Sequence, residues 1–219
     1  MKFHRGFQYI AIPFMTVYDH IKYSYHVIGR ENIPEGGCVV CANHTQWADP
    51  VMVATALGNK YSIGAMAKKE LFEIKPLAPL ISALGAFPVD REGADISAIR
   101  QSLQTVKDGR KLLIFPEGTT KHKEGDPAKL GAARIALKTK APILPVYISE
   151  NKKFRSKVYV VFGEPFTPEP TRTREGYQAL AEDIVRGYAR EMDCLFLLKE
   201  RVSDMAKQMV EISELTREK

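Results

Sequence analysis

The sequence predicts a single α/β domain whose largely parallel, mixed central sheet is flanked by helices, with an amphipathic helical segment at its N-terminus. Three observations carry that expectation. Short apolar runs bounded by turn residues alternate with helical-period stretches of about ten to fifteen residues, as in strands joined by crossover helices. Three polar loops, Asn43–Asp49, Asp90–Gly93 and Pro116–Asp126, each follow an apolar strand, where ligand sites in such sheets lie. The chain of 219 residues can bury one full core and contains no internal repeat or low-complexity linker that would divide it.

Residues 1–28 form the first expected unit. Phe3, Phe7, Ile10, Phe14, Val17, Ile21 and Tyr25 recur at steps of three or four, the helical period, and Pro13 is expected to bend or divide the helix. Lys2, His4, Arg5, His20 and Lys22 border this stripe, and its longest apolar stretch falls well short of the roughly 20 residues that span a bilayer. Two readings are open for it: a helix lying in a membrane interface, or a helix packing its stripe on the domain core.

Residues 29–219 form the second unit. GGCVVCAN reads as a strand, and PVMVATAL as a helix with Asp49 at its N-cap and Pro50 in its first position. SIGAMAK is a strand, ELFEIKPLAPLISAL a proline-broken helical region, and GAFPVDR a strand entering a loop. Residues 94–107 are a helix closed by Gly109. KLLIF is a strand, PEGTTKHKEGDP a loop, AKLGAARIALKTK a helix, and PILPVYI and KVYVVFG are strands; from Arg174 onward the chain is mostly helical.

A net charge of +6 and a pI near 9.1 favour anionic partners, a class that includes nucleic acid, phospholipid headgroups and phosphorylated substrates. The basic residues are scattered among acids without an aromatic-interleaved stripe, which argues against nucleic acid. Three cysteines make no disulfide framework; Cys38 and Cys41 sit in an apolar run and read as strand core, in a reducing compartment. There is no P-loop, no dinucleotide-binding glycine pattern and no H-E-x-x-H helix, so neither cofactor nor metal is expected. Nor is there a G-x-S-x-G elbow to supply a serine nucleophile.

The stretch NHTQWADP, residues 43–50, holds the most informative pair. On a regular helix a five-residue step rotates by about 140°, so His44 and Asp49 can meet only if the chain turns between them. An imidazole takes a proton from a hydroxyl near neutral pH, and a carboxylate on its other nitrogen fixes the tautomer and stabilises the imidazolium. Taken singly, Asp49 reads first as an ordinary helix cap and His44 as an ordinary loop histidine. Arg91 has a guanidinium suited to phosphate, or to a surface ion pair. Glu117, Gly118 and Lys121 make either a charged turn or a polar site with close backbone access.

Four segments in order carry a resemblance. NHTQWAD, GAFPVDR (85–91), FPEGTT (115–120) and APILPV (141–146) resemble the successive motif blocks of the glycerolipid acyltransferase family, whose best-known members are the 1-acyl-sn-glycerol-3-phosphate acyltransferases. KKELF at 68–72 and K-x-G-A-A at 129–133 also resemble family sequence, and the match covers residues 36–165. The resemblance implies acyl transfer from acyl-CoA or acyl-carrier protein, as co-substrate, to the sn-2 hydroxyl of 1-acyl-sn-glycerol 3-phosphate, giving phosphatidic acid. It implies His44 as general base and Asp49 as its partner, with Arg91 on the phosphate and Glu117, Gly118, Thr119 and Lys121 around the acceptor. It also implies a peripheral or monotopic protein on the cytoplasmic face of a membrane, which tilts residues 1–28 towards membrane association. Thr120 stands where the family commonly has arginine, and Ala128 where it has an aromatic; both bear on the acceptor headgroup. The alternatives are a related acyltransferase with another lysophospholipid or amphipathic hydroxyl acceptor, and a non-catalytic lipid-binding protein on the same scaffold. Backbone amides near the Asp49–Pro50 helix start are the candidates for stabilising an oxyanion.

Overall fold

A computed structural model describes the backbone of residues 3–90, 95–116, 118 and 130–217, with side chains as far as Leu197. Its sheet has seven strands: β1 (Ser24–Ile28), β2 (Cys38–Ala42), β3 (Ile63–Lys68), β4 (Ala86–Val89), β5 (Lys111–Ile114), β6 (Ile143–Ile148) and β7 (Lys157–Phe162). The helices are α1 (Arg5–Lys22), α2 (Asp49–Leu57), α3 (Leu77–Ala83), α4 (Ile96–Lys107), α5 (Gly131–Thr139) and α6 (Arg174–Arg217). The strand order is β1-β7-β6-β2-β5-β3-β4. Every neighbouring pair is parallel except β6 with β7, so the sheet is the mixed, largely parallel one that the alternation of segments predicts.

β2 occupies the centre and is buried along its whole length. Alternating side chains go to opposite faces. Cys38, Val40 and Ala42 join the core beneath α2, while Val39 and Cys41 join the core beneath α4, α5 and α6. The two cysteines are therefore core residues on opposite sides of the sheet, and burial pushes both thiol pKa values up, that of Cys38 to about 11. Pro88 lies in β4, an edge strand, where a missing N–H costs no ladder bond.

Two expectations for the N-terminal unit are corrected. Helix α1 runs unbroken through Pro13 and stops at Lys22, and residues 24–28 are a strand, pairing in parallel with β7. Tyr25 is thus a buried strand residue rather than the last member of a helical stripe; its hydroxyl donates to the Met52 carbonyl at 2.7 Å.

The stripe itself faces away from the domain. Ile10, Phe14 and Ile21 are 66%, 77% and 69% exposed, whereas Gln8, Ile12 and Asp19 on the opposite side are buried. Gln8 donates from Nε2 to the carbonyls of Ile63 at 2.9 Å and Leu84 at 2.6 Å. Asp19 accepts from the Thr55 hydroxyl at 2.8 Å. The helix is held to the domain largely by polar contacts, with its apolar face outward, so packing of the stripe on the core is excluded. Among the described residues no helix is long and apolar enough to cross a membrane.

Candidate active site

The carboxyl ends of β5, β2 and β6 lie side by side, so the loops leaving them converge by topology alone. Asn43, the first residue after β2, pairs with both backbone groups of Ile148 at the end of β6. Its Nδ2 donates to the Ile148 carbonyl at 2.9 Å, and its Oδ1 accepts the Ile148 N–H at 2.7 Å. From that anchored point the chain curls back before α2 begins.

The curl brings His44 and Asp49 together. His44 Nδ1 lies 3.0 Å from Asp49 Oδ2, with the carboxylate sealed from solvent and the imidazole 13% exposed. Oδ2 also accepts the backbone N–H groups of Thr45 and Gln46, each at 2.7 Å. Burial raises the Asp49 pKa, but the bond to His44, the charge of Lys152 and the Gln46 amide outweigh it and hold the carboxyl below its ordinary value. An ionised carboxylate only accepts, so Nδ1 carries the proton of the pair.

Asp49 does not cap its helix in the expected way. The cap position belongs to Ala48, Asp49 is the first helical residue and Pro50 the second; the Asp49 side chain reaches backward to the loop instead of forward to the first turn. The helix-start amides expected to face an oxyanion are also engaged. Asp49 N–H donates to the Gln46 carbonyl, and the Val51 and Met52 N–H groups both donate to the Ala48 carbonyl.

Neighbouring strands supply the walls. Phe115, just beyond β5, stacks on the His44 ring with centroids 4.0 Å apart. Lys152, in the loop after β6, places its Nζ 2.7 Å from Asp49 Oδ1 and donates to the Thr45 hydroxyl at 2.7 Å. Sequence reasoning passed over Asn43, Phe115 and Lys152. The first two stand inside the motif blocks, so position could have flagged them; nothing in the sequence distinguishes Lys152 from the exposed Lys153 beside it.

Of the other expected site residues, Gly118 is described. It adopts a φ of 69°, a conformation that favours glycine, and its N–H donates to the Phe115 carbonyl at 2.9 Å. With Phe115, Pro116, Asp90, Asp95 and Arg134 it lines a cavity of about 300 Å³. Arg91, Glu117, Thr119 and Lys121 lie outside the described residues, as do Thr120 and Ala128. Asp90, the neighbour of Arg91, pairs with Lys69 at 2.6 Å.

A second, apolar crevice of about 110 Å³ opens where α1, α2 and the sheet meet, bounded by Ile12, Met15, Pro50, Val51, Ala54 and Ala65. Pro50 and Val51 belong to the first turn of the helix that begins at Asp49, so the crevice adjoins the His44–Asp49 loop.

Comparison with known proteins gives concordant results. The family model described as Acyltransferase matches residues 24–149. The chain is 36% identical over 145 residues to the 1-acyl-sn-glycerol-3-phosphate acyltransferase of Bacillus subtilis, covering 64% of this chain and 72% of that protein. It is 33% identical over 175 residues to the enzyme of the same name from Streptococcus pneumoniae, covering 75% and 65%. The crystal structure of the 1-acyl-sn-glycerophosphate (LPA) acyltransferase PlsC from Thermotoga maritima superposes with a TM-score of 0.60 at 25% identity, over 86% of this chain and 78% of that one. The family match spans more than half of the chain and includes the whole His44–Asp49 loop, so this protein is an enzyme of the acyltransferase family.

Proposed function

We propose that the protein transfers an acyl chain from an acyl thioester, acyl-CoA or acyl-carrier protein, to the sn-2 hydroxyl of 1-acyl-sn-glycerol 3-phosphate, giving phosphatidic acid. One observation carries the mechanism: the sealed bond between His44 Nδ1 and Asp49 Oδ2 at 3.0 Å. With Nδ1 committed to Asp49, Nε2 is the atom that takes the proton from the acceptor hydroxyl. The oxygen attacks the thioester carbonyl carbon, and a tetrahedral oxyanion forms. Its collapse breaks the C–S bond, and the imidazolium returns the proton to the leaving thiolate. Asp49 stabilises the imidazolium between the two proton transfers. A protein that only bound lipid would have no use for a buried carboxylate tied to a histidine, which favours catalysis over the lipid-binding alternative.

The substrate assignment rests on the names of the relatives and on the motif resemblance. On that resemblance Arg91 takes the acceptor phosphate, and Glu117, Gly118, Thr119 and Lys121 its glycerol end. The cavity beside Phe115 suits an acceptor head, and the apolar crevice beside Pro50 and Val51 suits the acyl chain. The outward apolar face of α1 supports a peripheral protein whose first helix lies in a membrane interface, on the cytoplasmic face where thioester donors are found.

The experiment is to supply lysophosphatidic acid in detergent micelles with a mixed set of acyl-CoA thioesters, and to measure phosphatidic acid by mass spectrometry together with free thiol. Product that disappears with His44→Ala is the expected result; product unaffected by it overturns the mechanism. Arg91→Ala should raise the KM for the lysolipid more than it lowers kcat, and a pure kcat defect would contradict a binding role.

A further inference from the structure

Lys152 is an unusual residue to find without solvent. It sits in a connecting loop between exposed Asn151 and exposed Lys153, yet its own side chain is fully enclosed. Its ammonium meets Asp49 Oδ1 at 2.7 Å and donates to Thr45 Oγ1 at 2.7 Å. The two oxygens of Asp49 are thereby divided: Oδ1 faces Lys152, while Oδ2 receives His44 Nδ1 and the amides of Thr45 and Gln46. An ion pair on one oxygen and hydrogen bonds on the other hold the carboxylate from both sides, and with it the direction from which the imidazole is held.

The charges matter as much as the geometry. A buried carboxylate without a cation is costly and tends to take up a proton, which would leave it unable to stabilise an imidazolium. With Lys152 in place, the buried Asp49 carboxylate has a countercharge 2.7 Å away that lies outside its own loop.

We propose that Lys152 is a positioning residue for acyl transfer: its ammonium, held by Thr45, keeps the Asp49 carboxylate ionised and turned towards His44. The inference rests on the reading of His44 and Asp49 as base and partner. It also makes Lys152 a determinant of the base's working range. Among the described residues, the groups seen against the pair include Lys152 from the loop after β6, the uncharged Phe115 ring from the end of β5, and the Thr45 and Gln46 amides of their own loop. Removing a cation from beside a carboxylate that holds an imidazole favours the protonated form of the two groups. Activity requires the unprotonated imidazole, so the acid limb of the pH–rate profile moves to higher pH.

The test measures kcat against pH with lysophosphatidic acid and palmitoyl-CoA in micelles for the wild type, Lys152→Met, Lys152→Gln, Lys152→Arg and His44→Ala. Lys152→Gln keeps a hydrogen-bond donor while dropping the charge, and Lys152→Arg keeps the charge. The two neutral variants should lower kcat by about ten- to a hundredfold and move the acid limb up by about one pH unit. Lys152→Arg should leave the limb close to its wild-type position. A merely structural lysine would lower thermal stability and active fraction without moving the limb, and that result overturns the proposal. If neither neutral variant folds, Thr45→Val, which withdraws the ammonium's second anchor, must shift the limb in the same direction by a smaller amount; an unmoved limb again overturns the proposal. An active His44→Ala protein would instead defeat the base assignment itself, whereas inactive His44→Ala with unmoved lysine variants defeats the Lys152 role alone.

Discussion

The imidazole of His44 lies almost flat on the ring of Phe115, their planes 22° from parallel and their centroids 4.0 Å apart. Stacking fixes the second rotational axis of the imidazole, the first being fixed by Asp49. It also presents a π face to a ring that becomes cationic during the reaction. Phe115→Leu keeps the apolar volume and removes both effects. It should lower kcat by about tenfold, the scale of one aromatic pair. It should also move the acid limb of the pH–rate profile down by roughly half a unit, because the imidazolium loses a favourable partner. A pH series on the purified variant checks the sign, which is opposite to that expected from neutralising Lys152.

The Asp49 carboxyl has a folded-state pKa below its ordinary value. A group of this kind contributes stability that is fully present above its unfolded pKa, about 3.9, and is lost as pH falls through the folded value. Asp49→Asn removes that contribution and strands the buried Lys152 ammonium, so at pH 7 it should destabilise the protein by about 3–5 kcal/mol. Urea unfolding at pH 7 and at about pH 3 tests this: the gap between wild type and variant should narrow in acid. An equal gap at both values would mean that the folded carboxyl titrates no lower than the unfolded one.

Much of this architecture is legible in the chain. The six apolar runs from Cys38 to Phe162 fall where strands form, and β2, β5 and β6, buried along their whole length, read as the most nearly continuous apolar segments. Spacing alone leaves the turn between His44 and Asp49 open, since a five-residue step puts them on different faces of a helix; the resemblance of the four motif blocks is what favours it. β1 is not legible: Tyr25 lies four residues after Ile21, as a helical stripe requires, and the strand exists only because β7 offers an edge far along the chain. The direction of the α1 stripe is hidden for a related reason. What turns it outward is Gln8, whose acceptors at Ile63 and Leu84 lie 55 and 76 positions away. Lys152 is hidden most completely, since it meets Thr45 across 107 positions through a strand order that no local pattern encodes.

Helix α1 separates membrane affinity from stability. Ile10, Phe14 and Ile21 are exposed, so changing all three to serine should alter folding stability by no more than about 0.5 kcal/mol per site. Burial of such side chains in an interface contributes about 1.5–3 kcal/mol each, so the triple variant should lose well over tenfold in affinity for anionic vesicles. Gln8→Ala should do the reverse, costing about 1–3 kcal/mol for the lost bond to the Leu84 carbonyl, since Ile63 keeps the Arg110 guanidinium, while sparing vesicle affinity as long as the helix stays docked. Co-sedimentation with liposomes and urea unfolding, run on the same preparations, read the two quantities separately. Unchanged sedimentation of the triple variant would remove α1 from the membrane account.

Chain-length preference tests the crevice beside the site. Ala54 lies on α2 one turn beyond Pro50, and its side chain bounds the apolar space of about 110 Å³ shared with Ile12, Met15 and Ala65. If the acyl chain enters there, its terminal methylenes compete for the volume that a larger residue would take. Ala54→Leu adds three carbons at that wall without introducing a polar group or breaking the helix, since leucine is a strong helix former. Discrimination of one methylene in an apolar pocket corresponds to about 1–3 kcal/mol, so the ratio of kcat/KM for long to short acyl-CoA donors should fall by about tenfold or more. Short donors should keep near wild-type kcat, because Ala54 makes none of the bonds that hold His44, Asp49 and Lys152 together. A uniform loss across all chain lengths would instead mean that the substitution disturbed α2 and the loop it carries, and would place the acyl chain elsewhere.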